Sequence, residues 1–494
     1  MNLNRNEFDS SLKKCGKTVL FKKISSDAIT PVLALRKIAQ KFPHHHFLFE
    51  SAENGNNKGR FSVLGFMPDL LWKSVGKQSF INENFTKNPR KFSPQKGNVL
   101  NNLRQLIQRS QIECFNILDL PAMGSGIFGY MGYDMVRLME KIPDRSLPDE
   151  IKIPDSIFIR PQIIIIFDNF FDHAFLCAPV FSAQKYDDVV AKISLAEKIL
   201  NEPLKPHKIK TDPHFNFSSN CLEKEYCEMV KRAKKYIING DIFQVLPSQR
   251  FTSAFNKNLP EFSFYRALRS VNPSPFLFYL KFDDFVLSGA SPEIMVSLKN
   301  RKITIRPLAG TRKRGKNPSE DKKIAKELLH DEKEIAEHLM LIDLGRHDVG
   351  RVAKPASVEL TEKMVIEYYS HVMHISSNVE GILRDDLDAL DALISGFPAG
   401  TVSGAPKIRA MEIIEELEKV RRSFYAGCVG YFASNGDMES CITLRSALIK
   451  DGKIHLQTGA GVVFDSDPKS EYQECLSKAK AMMHACELIR NFIV

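Results

Sequence analysis

Two short runs in this sequence carry acidic side chains at spacings that can do chemistry. Glu334, Glu337 and His338 lie in DEKEIAEHLM, and Glu471 and Glu474 stand three apart in SEYQE. Residues three or four apart share a helix face, so each group can aim carboxylates in one direction. Carboxylates converging from two helices suit Mg²⁺, a hard ion that takes a few protein oxygens and leaves its other positions to water and substrate. The same spacing also fits a solvated helix face. Two glycine-bearing turns, Gly459-Ala460-Gly461 and the run from Gly400 to Lys407 (GTVSGAPK), each precede a predicted helix. Both could present backbone N–H groups to an anion, or could be plain turns. The second is not a Walker A loop: Pro406 precedes Lys407 and Ile408 follows it, so Gly-Lys-Ser/Thr is missing and ATP or GTP binding is rejected.

The elements that must position these groups follow from periodicity. Asn317-Pro318-Ser319-Glu320 is a helix start, with Asn as N-cap, Pro at the first helical position and Glu at the third. The spacing predicts one long helix through Ile324, Leu328, Ile335 and Leu339, ending near Gly345. Other helices are predicted over 223–238, stopped by Asn239-Gly240, over 408–420 and over 471–492. Strands are predicted over 242–248, 276–282, 285–287, 294–298 and 303–305, the last two joined by a turn at Asn300-Arg301. Before residue 200, β-type runs such as 47–49, 61–64 and 163–167 are bounded by Gly, Asn, Asp and Pro. A polar, Pro-containing stretch from 202 to 220 has neither period. The expected organisation is therefore an N-terminal region over 1–200, a linker over 201–221 and a second region over 222–494. Strands with intervening helices but no regular β-α alternation point to an α+β fold of layered sheet and helices.

Composition narrows the function classes. With 43% apolar and 26% charged residues over 494 positions, the chain reads as an ordinary soluble globular protein with ample core. Its formal charge is +10, but Lys and Arg are interspersed with Asp and Glu, which argues against nucleic acid and leaves only a mild attraction for a small dianion. Nine cysteines without a C-x-x-C argue against a disulfide framework or a zinc site and for a reducing compartment. The start MNLNRNEFDS has no apolar core that would mark it for export, and 163–167 is far too short to span a bilayer, so a cytoplasmic protein without a membrane partner is expected.

Several longer runs occur together and in order. They are SGASPE (288–293), RPLAGTRKRG (306–315), EIAEHLMLIDLGRHDVGR (334–351), YSHVMHISSNVEG (369–381), FPAGTVSGAPKIRAMEIIEELE (397–418), YAGCVGY (425–431), CITLRSA (441–447) and TGAGVVFDSDPKSEYQE (458–474). Over residues 222–482 this set resembles the chorismate-utilising enzymes, and within them the anthranilate synthase component I family. FLFESA (47–52), GRFSVLG (59–65) and GYMGYDMVRLMEKIP (129–143) resemble that family's regulatory region. One departure is His347, which stands where the family usually has Asn.

The resemblance implies a chorismate-binding catalytic domain over 222–494 that takes chorismate and ammonia to anthranilate and pyruvate, the first step of tryptophan synthesis. Ammonia adds at ring C2 as the C4 hydroxyl leaves, which calls for a protonated acid, and Glu293 of Ser-Pro-Glu matches it. Loss of the C2 proton with the enolpyruvyl group calls for a base, and His374 matches the family's histidine. Arg445 and the backbone of Gly459, Ala460 and Gly461 match the groups that hold substrate carboxylates. Gly310, Thr311, Thr401, Tyr425, Tyr431 and Lys407 are implied pocket residues. Glu337 and Glu474 would hold Mg²⁺ against the ring carboxylate, with Glu334 and Glu471 acting through water or behind them.

Two positions separate the relatives. Isochorismate and salicylate synthases carry a Lys to activate water where Gln244 lies here, and an amide cannot be that base. Aminodeoxychorismate synthases commonly carry a nucleophilic Lys where this chain has Ala309. No Gly-x-Cys-x-Gly glutaminase elbow occurs, so glutamine-derived ammonia calls for a separate amidotransferase subunit, by resemblance in a hetero-tetramer of two large and two small subunits. Glu50 and Ser51, with Asn272, Pro273, Ser274, Pro275 and Phe276, resemble the family's site for tryptophan as an inhibitor. Glu50 would pair with its ammonium, and Pro and Phe would wall its indole.

Overall fold

The structure is a computed structural model that describes residues 1–51, 59–112, 120–205, 213–369 and 372–493. Residues 206–212 of the expected linker and 370–371 of the run YSHVMHISSNVEG lie outside the described residues.

The expected α+β layering is present. A 21-stranded sheet is built from antiparallel pairs, and a separate two-stranded ribbon pairs Gln244–Val245 with Gly404–Ala405. The strand Ser156–Asp168 explains why 163–167 is apolar at every position. Ile164 and Ile166 enter one core, and Ile163, Ile165 and Phe167 enter another, because successive side chains leave opposite faces. The helices Val99–Arg109, Glu332–Gly350 and Ala389–Gly396 contribute to the first core. The helices Pro31–Ala39, Tyr186–Asn201, Glu261–Val271 and Pro468–Glu487 contribute to the second.

The sequence regions on either side of 201–221 share the sheet. His46–Glu50 pairs with Phe276–Lys281, placing Glu50 opposite Leu277, and Gly126–Met131 pairs with Cys428–Ala433. The predicted turn at Asn300-Arg301 is a hairpin tip with both residues at positive φ, 50° and 65°, as a tight turn between right-twisted strands requires.

The single long helix predicted from Pro318 is instead two, Pro318–Leu328 and Glu332–Gly350. Asp331 is the reason. Its side chain accepts from the N–H groups of Lys333 and Glu334 and starts a new helix, a competition that periodicity alone does not register. The predicted strand 242–248 is likewise divided, into Gln244–Val245 of the small ribbon and Ser248–Ala254 of the large sheet. The last helix tightens into a 3₁₀ turn over Leu488–Phe492.

Cys15 is disulfide-bonded. That bond runs against the expected reducing compartment, while among the described residues Cys177, Cys221, Cys227, Cys428, Cys441, Cys475 and Cys486 are free. Among the described residues no helix is long and apolar enough to cross a membrane.

Candidate active site

Glu293 ends the tight corner between the strands Phe285–Ser291 and Ile294–Lys299. It is 7% exposed, and burial pushes its carboxyl up to about 8 despite the Thr401 hydroxyl, the Leu308 N–H and the positive Arg445 nearby. Thr401 Oγ1 donates to Glu293 Oε1 at 2.9 Å from the short helix Gly400–Ser403. Gly400 lets that helix approach its neighbour: a Cβ there would stand 1.9 Å from Leu344 Cδ2. A carboxyl that keeps its proton at neutral pH is what a general acid needs.

Three residues beyond Leu308, the same strand reaches the histidine expected to act as base. Thr311 Oγ1 and His374 Nδ1 are 3.0 Å apart, on adjacent strands whose register slips at Gly310. That slip re-aims the side chains of the bulged strand, and Gly310 supports it with φ of 65°. Burial, with Arg445 adding repulsion, lowers the His374 imidazole to about 4, so it is neutral and able to accept a proton.

Among the carboxylates expected to meet, Glu337 interacts electrostatically with Glu334 and Glu474. Gln244 Nε2 donates to Glu337 Oε1 at 2.9 Å. Burial first, then Glu334 and Glu474, hold the Glu337 carboxyl above its ordinary value against that hydrogen bond. Burial also raises Glu471, again with Glu474 contributing. Mutual repulsion of this kind is relieved by a cation, and the all-oxygen donors fit Mg²⁺. Among the described residues no group of three or more His, Cys, Asp or Glu is placed to hold a metal ion. Glu474 is held by Lys478 at 2.8 Å and Glu334 by Arg312 at 2.8 Å, which makes Glu334 partly a structural ion pair. The third member of that run, His338, is fully buried on Ser377 at 2.7 Å and lowered to about 4 by burial, a core histidine.

The remaining expected residues divide. Gly461 lies beside Gln244, where a Cβ would come within 3.0 Å of its Nε2. The Ala460 N–H is already taken by Tyr226 Oη at 3.2 Å, and the same hydroxyl donates to the Pro247 carbonyl. A Cβ on Gly459 would stand 2.6 Å from that Pro247 carbonyl oxygen, so this loop packs closely on the Gln244 segment. Arg445, at φ 45°, donates from Nη1 to Asn272 Oδ1 at 3.3 Å. Lys407 is buried with its ammonium 2.7 Å from Asp348, so its charge is engaged within the fold. His347, the departure beside Asp348, is exposed on the helix Glu332–Gly350. Tyr431 Oη bonds Glu439 at 3.3 Å, and its ring packs on Phe128 in the core. Tyr425 is buried beneath the Arg422 guanidinium, 5.5 Å from the ring centre.

The two segments expected to bind an effector, far apart in sequence, are adjacent in space, with Glu50 paired to Leu277. Glu50 is buried, bonded by Tyr265 Oη at 2.5 Å and paired with Arg269 at 3.2 Å, and burial raises its carboxyl. Ser274 is buried and donates to the Asn272 carbonyl at 3.2 Å.

Sequence reasoning missed Glu418 and Arg422. They are 7% and 2% exposed and lie in the charged run ELEKVRRS, where an i,i+4 pair looks like any solvated helix face.

A buried acid and a buried neutral histidine, each with Arg445 among its electrostatic neighbours, sit in a fold that known proteins share. The family model for chorismate binding enzymes matches residues 46–484, so this chain belongs to that family. Within it, the chain is 45% identical over 488 residues to anthranilate synthase component 1 of Cereibacter sphaeroides, covering 97% of this chain and 96% of that one. It is 43% identical to the protein of the same name from Thermus thermophilus, over 94% of this chain and 96% of that one. The crystal structure of anthranilate synthase component I from Streptococcus pneumoniae superposes with a TM-score of 0.78 at 35% identity, over 93% of this chain and 99% of that chain. The menaquinone-specific isochorismate synthase of Escherichia coli shares the fold, with a TM-score of 0.70 at 18% identity over 97% and 99%.

Proposed function

We propose that this chain is the aminating subunit of an anthranilate synthase, converting chorismate and ammonia to anthranilate, pyruvate and water. The observation that carries the choice of ammonia over water as nucleophile is Gln244. Its amide nitrogen is committed to Glu337, while Oε1 is buried and has no hydrogen-bond partner among the described residues. An unpartnered acceptor suits an N–H donor such as ammonia, and an amide cannot deprotonate water.

Ammonia attacks ring C2 as the bond between C4 and its hydroxyl breaks. Protonated Glu293 delivers its proton to that oxygen, so water rather than hydroxide leaves, and Thr401 aims the carboxyl. Neutral His374, anchored by Thr311, then takes the C2 proton as the enolpyruvyl group departs, which leaves an aromatic ring and pyruvate. Arg445 fixes a substrate carboxylate, with Gly459 and Gly461 lining the same side. Glu337 and Glu474 would hold Mg²⁺, whose chemistry is to anchor and polarise the ring carboxylate. Ala309 offers no amine, which supports direct amination without a covalent intermediate.

The reading extends to a separate glutamine amidotransferase subunit that supplies ammonia, in a hetero-tetramer of two large and two small subunits. It also extends to inhibition by tryptophan at Glu50, Ser51 and Asn272 to Phe276, and to the cytoplasm. The deciding experiment incubates the pure chain with chorismate, Mg²⁺ and ammonium at mildly alkaline pH and identifies the product. Anthranilate is expected. Isochorismate, salicylate or aminodeoxychorismate would overturn the reading.

A further inference from the structure

We propose that Arg422, held by Glu418, is a positioning residue that clamps two active-site segments to one another, the one bearing Thr401 and the one bearing Gln244. Arg422 Nη1 donates to the Val402 carbonyl at 2.7 Å, and Nη2 donates to the Leu246 carbonyl at 2.5 Å. These carbonyls are one and two residues from Thr401 and Gln244, respectively. Only a planar guanidinium with a rigid fork of donors spans two separate backbone acceptors while keeping a carboxylate partner.

Glu418 is that partner. Its Oε1 accepts from Arg422 Nη2 at 2.7 Å and from both the N–H and the hydroxyl of Ser248 at 2.8 Å, so the Gln244 segment is also gripped at its far end. The cation lies 4.8 Å over the Tyr133 ring and 5.5 Å over Tyr425, so residues before and after the expected linker enclose it. A fully buried charge is an expensive way to fill a core, and well-packed apolar residues would serve stability as well or better. A buried ion pair whose remaining donors go to two reactive segments is accounted for by geometry: it fixes where Thr401 meets Glu293 and where Gln244 meets Glu337.

This inference rests on the proposed function, and the test separates the two. Wild type is first assayed for anthranilate: its absence rejects the function. Arg422→Lys and Arg422→Gln are then compared with wild type, with activity normalised to the folded fraction from near-UV circular dichroism. Lys keeps the charge but loses the fork, so both variants should show kcat reduced about tenfold or more, with the KM for chorismate changed less than about threefold. Displacing Thr401 removes a donor to Glu293, so the alkaline limb of the kcat profile should move to higher pH, and the KM for ammonia should rise as Gln244 is released. If neither variant folds, Glu418→Gln takes their place with the same readouts. A loss of activity that leaves the limb and the ammonia KM in place, or full rescue by Lys, overturns the clamp. A shift in only one of them overturns its joint action on both segments.

Discussion

Arg445 Nη1 donates to Asn272 Oδ1 at 3.3 Å, which joins the arginine expected to hold a substrate carboxylate to the segment expected to bind an effector. Asn272 also donates to the Ala290 carbonyl at 3.4 Å, three residues before Glu293. Asn272 therefore touches Arg445 directly and the strand that leads to Glu293 at Ala290. Tryptophan inhibits only if it favours an arrangement that binds or turns over substrate less well. Titrating tryptophan against ammonia-dependent activity should give inhibition in wild type and at least about tenfold weaker inhibition in Ser51→Leu, a coupling change of about 1.4 kcal/mol. Equal inhibition of both would place the effector elsewhere.

The protonation states of Glu293 and His374 set a pH profile. Glu293 must be protonated, so activity should fall as pH rises through about 8. His374 is lowered to about 4 by burial, so no acidic limb near its ordinary 6.5 is expected from it. The same raised carboxyl is a stability statement. Between its ordinary 4.5 and about 8 the folded chain keeps a proton that the unfolded chain releases, so this contribution is lost as pH rises through that window. Glu293→Gln should lose about a hundredfold or more in kcat and, in urea melts at pH 9, be more stable than wild type. A variant equally active, or stabilised only at low pH, contradicts the assignment.

Removal of either proposed metal carboxylate should disable turnover without unfolding the chain. Glu337→Gln and Glu474→Gln are each expected to lose about a hundredfold at low Mg²⁺, because a hard cation needs anionic oxygen. Circular dichroism checks the fold. Full activity of either variant in trace Mg²⁺ would sink the metal site.

Glutamine should be no substrate for the isolated chain. Ammonium should support anthranilate formation by itself, and glutamine should do so only after a separate amidotransferase subunit is added. Measuring glutamate release from the pure chain checks this, and any steady release counts against it.

Lys407 is engaged by Asp348 inside the protein, so its removal should first cost stability. Lys407→Met leaves a buried carboxylate without its cation and should destabilise by roughly 3–5 kcal/mol. Adding Asp348→Leu should recover much of that loss in denaturant melts. If Lys407→Met is as stable as wild type but raises the KM for chorismate, the lysine serves the substrate instead.

Much of this protein was legible from its sequence because the information is local. The layered α+β class, the hairpin at Asn300-Arg301, and the helices starting at Asn317 and Glu223 follow from short-range period and turn chemistry. The residues expected to react stood in contiguous runs whose resemblance named the family. What periodicity misread was again local but competitive, as at Asp331, where a side chain ends one helix by starting the next. Tertiary structure alone decided which charges are buried. Glu418 and Arg422 look like surface residues in ELEKVRRS, and only the packing of Tyr133 and Tyr425 around them makes them a clamp. The same holds for the proton on Glu293 and the neutrality of His374, since desolvation depends on what surrounds a group in space. It holds too for the pairing of Glu50 with Leu277 and the hydrogen bond of Arg445 to Asn272, because spatial neighbours far apart in the chain leave no mark on the sequence between them.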